Sequence, residues 1–193
     1  GNLKAYYPTV ISSDIEACDW LDARIDAHHL PFTKRTLRNI IMIDLLHHLS
    51  SPPQFFAEAA RTLRPGGRII IIEPYPTLIS LPAYKLFHPE PFRFRQDIFA
   101  MQETKKEPWD SNQAIAYLLF FRHKQQFLKT IGKDFRIYKR KKTSLLLYPL
   151  SGGFENKQLI NDKWIPAVKR LERHLHFLRG LLAFRCYIVL ERR

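Results

Sequence analysis

The stretch that decides the fold runs from Ser50 to Pro74, "SSPPQFFAEAARTLRPGGRIIIIEP". Ser50 or Ser51 can cap a helix. Pro52 and Pro53 suit its first turn, where a missing N–H costs no hydrogen bond. Phe55, Phe56, Ala59, Ala60 and Leu63 then recur at helical spacing. Pro65-Gly66-Gly67 is the expected stop, because proline cannot continue a helix and glycine tolerates the left-handed exit. Ile69 to Ile72 follow as a strand without polar alternation, which predicts burial on both faces. Pro74 ends the pairing. Glu73 reads as either the floor of an active site or a polar tip where the sheet meets solvent.

Upstream, "PTVISSD" (8–14) predicts a buried strand with a polar tip, and "ARIDAHHLPF" (23–32) a weaker one. "NIIMIDLLHHL" (39–49) opens with a third apolar run that ends in Asp44. Apolar strands separated by a helix point to a parallel sheet with right-handed crossovers, an α/β layer whose ligands sit at the carboxyl ends of its strands. Asp14, Asp26, Asp44 and Glu73 all stand at or just after expected strand ends. One such acid is an ordinary loop residue; four are a site pattern.

The chain reads as a single domain over residues 1–193 in three parts. Residues 1–74 form the first half. Residues 75–134 hold a lid or insertion rich in proline and aromatics, then a helix. Residues 135–193 supply strands around an amphipathic helix, in which Trp164, Val168, Leu171, Leu175 and Leu178 are spaced by four, three, four and three. No apolar run approaches the roughly eighteen residues of a membrane helix. Two cysteines, Cys18 and Cys186, are too few for a disulfide framework, which suits a reduced, cytoplasmic protein. The net charge is +13, and all of it falls in residues 81–193, where 23 Lys and Arg face 10 Asp and Glu. That half is suited to an anionic substrate, a nucleic acid or a membrane surface; a solvated basic face is the plain alternative.

The succession "SDI", "IDAHHLPF", "NIIMIDLLHHL" and "FFAEAARTLRPGGRIIIIEP" resembles the class I S-adenosylmethionine-dependent methyltransferases, over roughly Gly1 to Pro74. The likeness is greatest to the small-molecule methyltransferase-domain group. It implies a Rossmann-like, doubly wound, mostly parallel sheet with an antiparallel C-terminal strand, and S-adenosyl-L-methionine as cofactor. By the resemblance, Asp14, with Ile15 beside it, binds the ribose hydroxyls. Asp26 and Ala27 lie beside the adenine, and Asp44 faces the methionine end. Gly1 and Asn2 correspond to the end of the family's Gly-rich loop. The family's first strand has no counterpart, so the chain reads as N-terminally truncated, with an apolar slot where that strand would lie.

Methyl transfer from a sulfonium is an in-line displacement, in which a protein chiefly aligns the partners and excludes water. A base is needed only where the acceptor loses a proton. His47, His48 and Glu73 are the candidates for that role, with Asp44 behind them and His88 in the lid. Neither His28-His29 nor His47-His48 has an evident set of further ligands, so no metal is expected. The expected reaction is methylation of a small or lipid-linked acceptor, anionic ones included. The alternatives are a nucleic-acid methyltransferase using the basic half, or a partner protein that keeps the fold without turnover.

Overall fold

The computed structural model describes residues 3–100, 111–153 and 157–193. Its main sheet has four strands in the order β3 (Leu37–Ile43), β4 (Leu63–Pro74), β6 (Arg185–Arg192) and β5 (Phe135–Thr143). β3 and β4 are parallel, with Ile40 opposite Ile69 and Ile43 opposite Ile72; β6 runs antiparallel to both of its neighbours. The mixed α/β layer with an antiparallel C-terminal strand is therefore as expected.

Between β3 and β4, α1 (Pro52–Thr62) makes the crossover. It lays Phe55, Phe56 and Ala59 on the face of the sheet that carries Met42, Ile69, Ile71, Ile188 and Leu190. The helical run from Ile115 onward covers the same face. It comprises α3 (Ile115–Tyr117), a π turn at Leu118–Arg122 and α4 (Lys124–Thr130). Phe56 meets Phe120, Phe127 and Phe135 edge-on at 6.4, 5.7 and 6.2 Å, and each such buried side chain stabilises the fold by about 1.5–3 kcal/mol.

Four expectations are corrected. The four isoleucines are not buried on both faces: Ile69 and Ile71 are fully buried, Ile70 and Ile72 only partly. Their row continues to Ile41 and Ile43, both exposed, because the described residues place little over that face. Second, 8–14 is not a buried strand. Only Ser13–Asp14 (β1) pairs, with Ala23–Arg24 (β2), and this small parallel pair stays separate from the main sheet. Without a neighbouring strand on its inner side, the run has nothing to be buried against.

Third, α1 ends at Thr62, ahead of Pro65-Gly66-Gly67, and Leu63 is already extended and buried. Leu63 has already left the helix, and Arg64, as the residue before proline, is kept out of the helical region. The Pro-Gly-Gly segment instead forms an irregularity inside β4, where the register shifts. Finally, Ser51 occupies the N-cap position but makes no side-chain cap. Pro53 supplies no N–H at the second helical position, and the Ser51 hydroxyl makes no bond to the Gln54 N–H at the third.

Candidate functional site

The site is built where β3 and β4 end side by side. Asp44 follows β3 with a left-handed backbone (φ +52°), and a 3-10 turn, Leu46–His48, carries the two histidines. Glu73, on β4, is completely buried. One of its oxygens, Oε1, accepts the N–H of Leu45 at 2.9 Å and of Leu46 at 2.7 Å. The other, Oε2, lies 2.5 Å from His47 Nδ1. A strand carboxylate thus anchors the turn that follows the neighbouring strand. Of the two readings of Glu73, a solvent-facing tip fails on its burial.

His47 is buried too, and its Nε2 lies 3.2 Å from Glu90 Oε2. His48, with about a third of its side chain exposed, places Nε2 3.5 Å from Glu90 Oε1. Glu90 comes from the segment after α2 (Ser80–Phe87), fixed between Pro89 and Pro91. Gln113 donates to His88 Nδ1 at 2.9 Å and reaches Glu90 at 3.4 Å. Burial alone would push the His47 imidazole down. The charge of Glu73, its hydrogen bond and Glu90 override this and raise the pKa to about 10. Burial works against the Glu90 carboxylate as well, but His47, His48 and Gln113 bring it down to about 2. The two form a buried ion pair, flanked by a second carboxylate.

Asp44 pairs with Arg185, at the start of β6, whose guanidinium also reaches the Ile72 carbonyl at 3.4 Å and lies 5.0 Å from the Tyr148 ring. One oxygen of Asp44 and of Glu73 and one ring nitrogen of His47 all lie within 4.8 Å of one another, as do such atoms of His47, His48 and Glu90. By spacing alone either set could hold a cation. In both, however, the carboxylates are already engaged, Glu73 by two backbone N–H groups and His47, Glu90 by the histidines and Gln113.

The loop after β2 docks on the start of α1. Asp26 Oδ1 accepts the His28 N–H and faces its Nδ1, both at 2.8 Å; His28 Nε2 accepts the Ser51 N–H at 3.2 Å. Glu58 and Arg61 of α1 hold the backbone of Leu30 and Phe32, and Ala27 packs against the core. Asp26 is therefore tied into its own loop through one oxygen. Asp14 is exposed, with Oδ1 accepting the Glu16 N–H at 3.1 Å, and Ile15 beside it is exposed as well. Gly1 and Asn2 lie outside the described residues.

The structure thus gathers Asp44, His47, His48 and Glu73, and adds three residues not singled out as site residues in the sequence: Glu90, Gln113 and Arg185. For Glu90 a signal existed, a carboxylate held between two prolines in "HPEP". Gln113 and Arg185 stand 40 and 112 residues from Glu73, and only the folded sheet brings them near it.

Residues 11–71 match the family model described as "Methyltransferase domain". Two curated proteins, demethylmenaquinone methyltransferases of Tropheryma whipplei strains Twist and TW08/27, are each 34% identical over 65 residues. That is 33% of this chain, which spans only 27% of those relatives. Among solved structures, an S-adenosylmethionine-dependent methyltransferase from Archaeoglobus fulgidus superposes with a TM-score of 0.54 at 14% identity, over 100% of this chain and 80% of that one. Residues 11–71 thus carry the methyltransferase-domain pattern, and the fold of the chain is like that of the Archaeoglobus fulgidus protein.

Proposed function

We propose that the protein transfers a methyl group from S-adenosylmethionine to a small or lipid-linked acceptor. The observation that carries this reading is the methyltransferase-domain match over 11–71, which includes Asp14, Asp26 and Asp44. The residues present fit the cofactor. Asp14 Oδ2 is open to accept from a ribose diol while Oδ1 is fixed by the Glu16 N–H. Exposed Ile15 offers an apolar surface beside it. When bound, the cofactor supplies an electrophilic methyl group on a sulfonium.

The chain's own part is orientation and proton handling. Buried and hydrogen-bonded through both nitrogens, His47 is the support; His48, on the accessible side, is the base for an acceptor that must lose a proton. Glu73 and Glu90 are positioning residues, which hold the two rings. The buried Nε of Arg185, beside Asp44, has no hydrogen-bond partner among the described residues. A lipid-linked acceptor is supported by the relatives whose named substrate, demethylmenaquinone, is a lipid quinone.

Calorimetry with S-adenosylmethionine tests the cofactor. Asp14→Ala should weaken binding at least about ten-fold, the loss of roughly 1.4 kcal/mol of charge-assisted hydrogen bonding. Unchanged affinity would remove Asp14 from the site, and no binding by the full-length protein would remove the cofactor. With methyl incorporation into lipid extracts as readout, His48→Ala should lower turnover about 100-fold with cofactor affinity intact.

A further inference from the structure

The helix α6 (Ile165–His174) contains no buried residue. With its N-cap Trp164 it nonetheless carries an apolar stripe at helical spacing, on which Trp164 is 58% and Leu171 49% exposed. Exposed apolar side chains continue in the 3-10 turn Leu175–Leu178, where Phe177 is 73% exposed, and in α7 (Arg179–Leu182), where Leu181 is exposed too. A hydrogen bond of 3.4 Å from the Ile79 N–H to the Leu181 carbonyl brings exposed Leu78 and Ile79 alongside. Large apolar side chains grouped in this way mark an interaction surface.

Next to the stripe, between β5 and α6, lies an open cavity of about 640 Å³. Lys141, Lys142, Lys169, Arg173, His176 and Arg179 line it. The acid among its lining residues, Glu172, is turned to the backbone, where it accepts the N–H groups of Leu146 and Leu147 at 2.6 and 2.7 Å. The cavity is therefore a basin of positive charge beside an apolar ridge. A helix with Trp and Leu on one face and Lys and Arg on the other is the pattern of a segment that lies in a membrane interface. Among the described residues no helix is long and apolar enough to cross a membrane.

We propose that this face docks on an anionic bilayer, with Trp164, Leu171, Phe177 and Leu181 in the interfacial zone and the cations of the cavity on phosphate-bearing headgroups. Charge complementarity selects the occupant: a neutral apolar partner would leave the cations of the cavity unmatched. The inference is independent of the methyltransferase reading. It places the protein where a lipid-linked acceptor would be met.

Vesicle flotation of the full chain tests it, comparing phosphatidylcholine alone with phosphatidylcholine mixed with phosphatidylglycerol. Binding is expected only to the mixed vesicles, falling with added salt, and with a blue shift of tryptophan emission that Trp164→Phe removes. Each reversed cation, as in Lys169→Glu or Arg173→Glu, should weaken binding at least about five-fold, the effect of roughly one headgroup-level charge. The doubly substituted L171E/F177E should lose binding while keeping the circular dichroism of the parent, because both side chains are exposed. Equal binding to both vesicle types would overturn the proposal. So would a concentration-dependent dimer that L171E dissolves without any vesicle binding, or salt-dependent RNA binding in place of vesicle binding.

Discussion

At the scale of residues, the fold places one imidazole between two carboxylates and buries all three. His47 has its pKa raised to about 10 from an ordinary 6.5, so its contribution to stability is complete below about 6.5 and is lost as the pH rises through about 10. Glu90, lowered to about 2 from 4.5, contributes fully above 4.5 and loses its share as the pH falls through about 2. His47→Gln should therefore destabilise the protein by about 3–5 kcal/mol near neutral pH, leaving two buried carboxylates without their cation. The gap between parent and variant in urea unfolding should close as the pH approaches 10. A gap that stayed constant across that range would mean His47 is neutral in the folded protein. The sequence displayed two of these three groups: "LHH" after a strand and a glutamate at a strand tip are readable signals. For Glu90 the sequence offered only "HPEP"; its contact with His47 depends on the fold-back after α2, and no periodicity encodes that.

Among the elements, β4 was the most legible, since the length and apolar content of "RIIIIEP" leave few alternatives for it. What periodicity missed was how the chain enters it. Gly66 adopts φ +76°. A Cβ at Gly67 would stand 2.8 Å from the Arg64 carbonyl and 2.9 Å from that of Arg38, both backbone and unable to move aside. Gly67→Ala is thus expected to cost about 1–3 kcal/mol as overpacking, whereas Ile43→Lys, on the open face, should stay within about 1 kcal/mol of the parent. Equal thermal stability for Gly67→Ala and the parent would show that β3 and β4 can separate there. The first two strands were over-read for a physical reason: β-branched runs report a preference for extended backbone, while a strand also needs a neighbour to pair with. In Pro8–Asp14 the preference is present and the neighbour is limited to Ala23–Arg24.

For the molecule as a whole, charge and stability divide the chain differently. Net charge splits near residue 80, between a balanced first part and a basic second part. Cooperative packing splits earlier, because the four-stranded sheet with α1, α3 and α4 holds the core while β1 and β2 stand apart from it. Hydrogen exchange should follow the second division. Amides of β4 and β6 should exchange only with global unfolding, and those of 10–25 orders of magnitude faster. Uniform protection across both regions would show that the small β1–β2 pair is welded to the main sheet. Composition and hydropathy foretold the charge division. They did not foretell which apolar side chains would be left outside, because exposure is a property of the finished packing.

The anchoring of the 3-10 turn by Glu73 bears, finally, on how this protein can drift in sequence. An isoleucine of β4 can be exchanged for a valine or a leucine with a graded loss of packing. Position 73 offers no such gradient. One side chain there accepts two backbone N–H groups and holds His47. A shorter acid would have to release at least one of the three, and an amide would set its own N–H₂ against a donor. The strand around Glu73 can vary by degrees while that position cannot, because the turn on which both histidines ride hangs from it.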